Sequence, residues 1–272
     1  MFHDLNISND SKLKAGETHL DSLRKRLELC SELGYEVVAL NNTVVGKIGQ
    51  NNVNPFRKLD IPDVSDKGFR KSFRVLSRLT IVVEDISQNY ELNANNPVVA
   101  SYDILAVQPT SEKLFQAACG TFEVDIISLE LSTRLPFYLK HSTVGLAIER
   151  GIHFEISYSA CIKDSTARRH LISNAINLIR VTRGRNIIIS SEAQKAMELR
   201  GPYDIINLCS LFGLNQASAR DCLTVNCRSV IYHSETRRNV HKGVVSVNAV
   251  GDLKSHEEWK TGEESSVIAM EL

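Results

Sequence analysis

The sequence predicts an α/β fold: an irregular TIM-like barrel of mostly parallel strands over residues 1–232, followed by a polar, acidic C-terminal tail over 233–272. Three observations carry that prediction. Eight short runs rich in β-branched and aromatic residues recur along the chain, and several are apolar nearly throughout, as strands covered on both faces must be. Between many of them lie stretches of helical spacing, and strand–helix alternation implies a parallel sheet with crossover helices. Eight strands in about 230 residues favour closure into a barrel over an open sheet.

The strand runs are 3–7, 35–40, 75–84, 102–107, 124–129, 152–157, 186–190 and 227–232. Residues 17–33 place Leu20, Leu23, Leu27 and Leu29 on one broad side, with Arg24, Lys25, Arg26 and Glu28 largely elsewhere. That is an amphipathic helix, and Gly34 follows as its C-cap. Residues 43–73, rich in Asn, Gly and charge, read mainly as a long loop, and 85–100 has room for at most a short helix. The barrel is therefore expected to be irregular on one side. Residues 111–119 begin Ser-Glu-Lys and run into Leu114, Phe115 and Ala118; residues 142–150 form a helix ending at Gly151. Residues 165–183 repeat Leu171, Ile172, Ala175, Ile176 and Ile179 at helical spacing before Gly184. Residues 203–213 and 215–225 read as two helices separated by Gly213-Leu214-Asn215. From 233 onward the chain is polar with little periodicity, as in a mobile tail.

Bulk features narrow the function. The 272 residues carry 32 Lys+Arg against 32 Asp+Glu, with 43% apolar and 24% charged residues, an ordinary globular balance. A formal net charge of zero argues against an indiscriminate polyanion binder. No apolar run approaches a membrane span. The start Met1-Phe2-His3-Asp4-Leu5-Asn6 lacks the basic and apolar regions of a signal peptide. Six cysteines without a CxxC read as buried reduced thiols, so a reducing compartment is expected. Cys222 and Cys227 lack a second pair, or suitable histidines, to complete a zinc site.

Zero net charge hides an asymmetry. Residues 67–78 hold Lys67, Arg70, Lys71, Arg74 and Arg78 and no acid. Residues 161–200 hold eight basic residues (Lys163, Arg168, Arg169, Arg180, Arg183, Arg185, Lys195, Arg200) against Asp164, Glu192 and Glu198, a net of +5. Residues 251–272 carry a net of −4. The 161–200 cluster is mostly arginine, whose planar fork binds phosphate bidentately. Lys163, Arg168 and Arg169 follow the sixth strand, at the barrel mouth where such folds place their sites. No nucleophile elbow, P-loop, dinucleotide fingerprint or HExxH is present. Asp4, Asn6 and Glu155 are the polar candidates at the mouth, Glu155 reading first as a salt-bridge partner of the basic cluster. His153 reads as a core or rim histidine, Asp164 as a helix N-cap, and Asp204 as a first-turn acid. The chain thus shows no catalytic constellation, no metal site and no cofactor motif.

Several strings occur in order: Ser77-Arg78-Leu79-Thr80-Ile81-Val82-Val83, Glu112-Lys113-Leu114-Phe115, Leu135-Pro136-Phe137-Tyr138-Leu139-Lys140, Lys163-Asp164-Ser165-Thr166-Ala167-Arg168-Arg169, Asn186-Ile187-Ile188-Ile189-Ser190-Ser191, Arg200-Gly201-Pro202-Tyr203-Asp204 and Leu211-Phe212-Gly213-Leu214. Together they resemble the roughly thirty-kilodalton protein subunit of eukaryotic ribonuclease P and ribonuclease MRP, over about residues 1–232. The resemblance implies a barrel of the polymerase-and-histidinol-phosphatase type. Active members of that superfamily open with Asp-x-His-x-His, whereas this chain has Asp4-Leu5-Asn6-Ile7-Ser8. Asn6 and Ser8 cannot replace imidazole as strong ligands.

The resemblance also implies a non-catalytic role beside a catalytic RNA. That role covers 5′-leader removal from precursor tRNA, which the chain meets indirectly, and ribosomal-RNA processing. Its implied partners are ribonuclease P RNA, MRP RNA and other protein subunits, including a small α/β subunit, with room for two copies per particle. Its implied location is the nucleus and nucleolus. On this reading Lys163, Arg168, Arg169, Arg180, Arg183, Arg185 and Arg200 contact RNA, joined by Arg237, Arg238 and the 67–78 cluster. The competing expectation is a metal-dependent phosphoesterase with a degenerate site built from Asp4, Glu155 and His153.

Overall fold

The computed structural model describes residues 1–9, 17–49, 52–58, 73–85, 92, 96–241, 245 and 246. Seven parallel strands pair in chain order: β1 (Phe2–Ser8), β2 (Tyr35–Val45), β3 (Arg74–Val83), β4 (Ile104–Pro109), β5 (Ile126–Ser128), β6 (His153–Ser157) and β7 (Ile187–Ser190). The helices are α1 (Glu17–Leu33), α2 (Pro97–Ala100), α3 (Glu112–Gly120), α4 (His141–Glu149), α5 (Ser159–Lys163), α6 (Ser165–Thr182), α7 (Pro202–Ser210), α8 (Gln216–Asp221) and α9 (Val225–Asn239). Strands β5 and β7 are buried throughout, as their apolar runs require. Gly34, at φ +97, closes α1 in the left-handed conformation that glycine adopts without strain.

The sheet curls until β1 and β7 lie side by side without a regular ladder. At their C-terminal ends the Glu192 N–H donates to the Asn6 carbonyl at 2.8 Å. At the other end the chain between α8 and α9 wedges between them. There the His3 N–H donates to Leu223 O at 2.9 Å and Ile189 N–H to Cys222 O at 3.4 Å. The barrel is thus nearly closed with seven strands.

The expected eighth strand at 227–232 is instead part of α9. Cys227, Val230 and Ser234 are its buried residues, at i, i+3 and i+7, and they form one helical stripe. The run Cys-Arg-Ser-Val-Ile-Tyr is short and apolar enough to suit either structure. α9 continues to Asn239, across the boundary expected at 232. It closes the N-terminal end of the barrel: Cys227 and Val230 pack with Leu5, Val37, Leu76, Ile104 and Ile188 in an interior apolar layer. A larger apolar cluster fills the space between strands and outer helices.

Other expectations hold. The helix over 17–33 is α1, and the stretches at 111–119, 142–150 and 165–183 are α3, α4 and α6. The pair expected over 203–213 and 215–225 is α7 and the shorter α8. In 43–73, β2 extends to Val45 and a 3₁₀ turn spans Pro55–Lys58. In 85–100 the short helix is α2, capped by Asn96. All six cysteines are buried and free. Cys227 Sγ donates to the Cys222 carbonyl at 3.2 Å, a packing contact. Lys67, Arg70, Lys71 and the chain from 247 onward lie outside the described residues.

Candidate nucleic-acid interface

The barrel interior changes character along its axis. Leu76, Arg78 and Thr80 alternate along β3, and all three face inward. Above the apolar layer, Arg78 and Glu155 meet as a bidentate ion pair, with Nη1–Oε1 and Nη2–Oε2 both 2.5 Å, and neither side chain is exposed. Arg78 also donates to Leu5 O at 2.9 Å and Thr80 Oγ1 at 3.0 Å. Asn6 Nδ2 and Ser190 Oγ donate to Glu155 Oε1 at 3.2 and 2.6 Å. Asn41 Nδ2 donates to Asn6 Oδ1 at 2.9 Å, and Thr80 Oγ1 to Asn41 Oδ1 at 2.8 Å. Burial pushes the Glu155 carboxyl up, but the Arg78 guanidinium and the hydrogen bonds outweigh it and hold it below its usual range.

This network corrects two expectations. Glu155 is a salt-bridge residue, but its partner is Arg78 and not the 161–200 cluster. Arg78 in turn is core and unavailable to RNA. The residues at the mouth also do not fit a catalytic metal. Asn6 and Ser8 are weak donors, and the Glu155 carboxylate is committed to a guanidinium. Burial pushes His153 down to about 4, and its Nδ1 lies 3.0 Å from Gly151 O. Among the described residues no three of His, Cys, Asp and Glu group as a metal site, so Asp4, Glu155 and His153 do not assemble as the phosphoesterase expectation requires.

Asp4 is the incompletely hydrogen-bonded member of the mouth. Its Oδ1 accepts the N–H groups of Asn6 and Ser191 at 3.2 and 3.1 Å. Its Oδ2 is buried without a hydrogen-bond partner, and burial raises the carboxyl from 3.8 to about 6. The folded chain therefore binds this proton more tightly than the unfolded chain. The resulting stability is full below the unfolded value and is lost as pH rises to about 6. Asp4→Asn cannot ionise, so its stability relative to the native chain should rise by ~2–3 kcal/mol between pH 4 and pH 8. Urea denaturation of both chains at both pH values checks this; the same difference at each pH would contradict it.

The structure divides the arginines assigned to RNA. Lys163, Arg168, Arg169 and Arg200 are exposed on the elements that follow β6 and β7. Asp164 caps α6 by accepting from the N–H groups of Thr166 and Ala167 at 3.1 and 2.9 Å. That cap fixes the first turn, which ends at Arg168, and Arg169 follows it. Arg168 Nε donates to Cys161 O at 2.6 Å, and Arg200 Nη1 to Met197 O and Leu199 O at 2.8 and 2.7 Å. These two arginines share the rim of an apolar groove of about 360 Å³. Lys163 is held by Glu198 at 3.2 Å. Arg180, Arg183 and Arg185 are also exposed, but at the other end of α6, where Arg183 is the C-cap at φ 57. Along α6, Arg168 and Arg169 stand ~16–22 Å from Arg180 and Arg183.

Arg237 and Arg238 do not belong to this surface. Arg237 is 5% exposed and forks onto Asp125, with Nη2 2.9 Å from Oδ2 and Nε 3.1 Å from Oδ1. His233 Nδ1 lies 2.7 Å from Asp125 Oδ1, and Leu105 N–H donates to Oδ2 at 2.9 Å. Arg238 is half-buried and pairs with Asp103 at 3.1 Å. Both arginines tie α9 to the bottom of the barrel. The helical stripe 227, 230, 234, 237 carries this signal in the sequence, and reading 227–232 as a strand hides it. Arg26 was likewise missed: it is buried, with Nη1 donating to Ser8 O and Ala193 O at 2.6 and 3.0 Å.

Comparison with known proteins agrees with this architecture. A family model described as RNase P subunit p30 matches residues 1–239, ending with α9. Ribonuclease P protein subunit p30 of Mus musculus is 40% identical over 250 residues, 90% of each chain. The probable ribonuclease P protein subunit 3 of Schizosaccharomyces pombe is 39% identical over 246 residues, 90% of this chain and 99% of its own. A chain in the cryo-EM structure of archaeal ribonuclease P with mature tRNA has the same fold. Its TM-score is 0.66 at 17% identity, over 90% of this chain and 98% of that one. The barrel that α9 closes, matched from its first residue to the end of that helix, belongs to the RNase P subunit p30 family.

Proposed function

We propose that this chain is a non-catalytic protein subunit of ribonuclease P and ribonuclease MRP. It binds and stabilises the catalytic RNA and its neighbouring proteins during 5′-leader removal from precursor tRNA and ribosomal-RNA processing. Family membership across the whole barrel is the observation that carries this reading. The charge distribution supplies a mechanism. Lys163, Arg168, Arg169 and Arg200 form one phosphate-binding patch, and Arg180, Arg183 and Arg185 form a second. Two patches ~16–22 Å apart suit an extended polyanion better than a small phosphate ester. Backbone contacts of this kind orient RNA without reading its sequence. A small α/β subunit, two copies per particle and a nucleolar site complete the reading. Pull-down of the tagged chain followed by sequencing of bound RNA tests the assignment; recovery of a ribonuclease P or MRP RNA is expected, and its absence refutes it.

The arginines have their own test. Arg168→Glu combined with Arg169→Glu places two acids among the basic residues of an exposed helix start. RNA affinity near physiological salt should fall by about tenfold or more, and the salt dependence by about two phosphate contacts. Far-UV circular dichroism and thermal unfolding should stay near native. A folded double variant that binds RNA and assembles normally would remove these arginines from the interface.

A further inference from the structure

The chain between β5 and α4 is anchored rather than slack. Phe137 is buried and stacks on Phe115, with ring centroids 5.1 Å apart and planes 28° apart. Leu131 and Leu139 are buried too. Asn174 of α6 donates to the carbonyls of Leu131 and Thr133 at 2.9 and 2.8 Å. Between the buried Phe137 and Leu139, Tyr138 is turned outward and is 83% exposed. Beside it is a pocket of about 440 Å³ lined by Arg134, Leu135, Tyr138, Asn174 and Asn177, among others. Arg180 Nη2 donates to Asn177 Oδ1 at 3.1 Å, which leaves the Asn177 amide N–H groups without a partner among the described residues.

A single exposed tyrosine is unremarkable. An aromatic face, a guanidinium and two carboxamides around one concavity on a braced loop form a more specific set. Unpaired RNA bases are held by stacking on aromatic rings and by hydrogen bonds along their edges, with cations on the backbone. Because the loop is anchored, little ordering entropy opposes binding. A pocket for an apolar protein side chain would not need this polar rim.

We propose that this pocket binds one unpaired nucleotide of the partner RNA. The base stacks on Tyr138, its edge meets the Asn174 Oδ1 acceptor and the Asn177 amide donor, and Arg134 holds a flanking phosphate. The inference rests on the RNA-subunit reading above and adds a site outside the arginines already assigned.

The test uses the full chain and the RNA recovered with it, with affinity measured across a salt series. Tyr138→Ala should weaken binding by about tenfold with an unchanged salt slope, because stacking releases no counterions. Tyr138→Phe should retain affinity to within about twofold, since the ring face is kept. Arg134→Ala should lower the slope by about one contact. Photocrosslinking from 4-thiouridine in the RNA should map to peptide 134–138. Native affinity in Tyr138→Ala overturns the proposal. So does loss of a protein from the assembled particle with RNA affinity intact, which would make the pocket a protein dock. If the native chain holds no RNA, the subunit reading itself fails; if it does and Tyr138→Ala matches it, this pocket alone fails.

Discussion

Arg78→Ala should destabilise the barrel by about 3–5 kcal/mol, the usual consequence of removing one partner from a buried ion pair. The substitution leaves Glu155 unexposed at the centre of the barrel, with the neutral donors Asn6, Ser128 and Ser190 but no cation beside its carboxylate. It also strips a donor from Leu5 O and from Thr80 Oγ1. For a chain of this size the melting temperature should drop by roughly 10 °C. Replacing both partners, Arg78→Met with Glu155→Gln, should recover a large part of the loss, because no uncompensated charge then stays buried. Denaturant titration of the native chain, the single variant and the double variant decides this. A single variant within about 1 kcal/mol of native, or a double variant no better than the single, would contradict the role given to the pair. A basic side chain inside the barrel is also the reason the 67–78 charge run overstates the surface charge of this protein.

Asp125→Ala should be about as damaging, again ~3–5 kcal/mol, and its effect should begin at α9. One buried carboxylate receives Arg237, His233 and the Leu105 N–H. Without it the α9 guanidinium is stranded at 5% exposure, and the helix that closes the barrel loses its tie. Amide exchange over 225–239 should accelerate before that of the strands. Burial pushes the Asp125 carboxyl up, but Arg237 and His233 outweigh it and leave it below its usual range. A depressed carboxyl contributes stability above its unfolded pKa and loses it as pH falls through the folded one. The native chain should therefore lose stability below about pH 4, and the variant should show less of that acid dependence. Unchanged protection of α9 in a folded Asp125→Ala chain would show that the helix is held by its apolar stripe instead.

The arrangement links these two residues to function. The α9 helix closes one end of the barrel, and the Arg78–Glu155 pair fills the interior toward the other. The outer surface is then free to carry arginines, which the elements following β6 and β7 display at the mouth end and the end of α6 displays at the other.

Apart from 227–232, read as a strand but helical, element type and order were legible in the sequence, because they rest on short-range pattern. Runs such as Ile187-Ile188-Ile189 have no polar face and must be covered on both sides, and the spacing of 165–183 suits only a helix. Caps were legible for the same reason: Asp164 and Gly34 act on their immediate neighbours. The family strings pointed to the partner chemistry.

Side-chain facing was not legible, since it depends on contacts far apart in the chain. Arg78 lies inside because β3 pairs with β2 and β4 in a register that puts 76, 78 and 80 on the inner face; a shift of one residue would reverse it. Its partner Glu155 is 77 residues away, and the partner of Arg237 is 112 residues away. Charge composition fixes how many arginines this chain has. Register and barrel closure select which of them are spent on buried carboxylates and which remain at the surface.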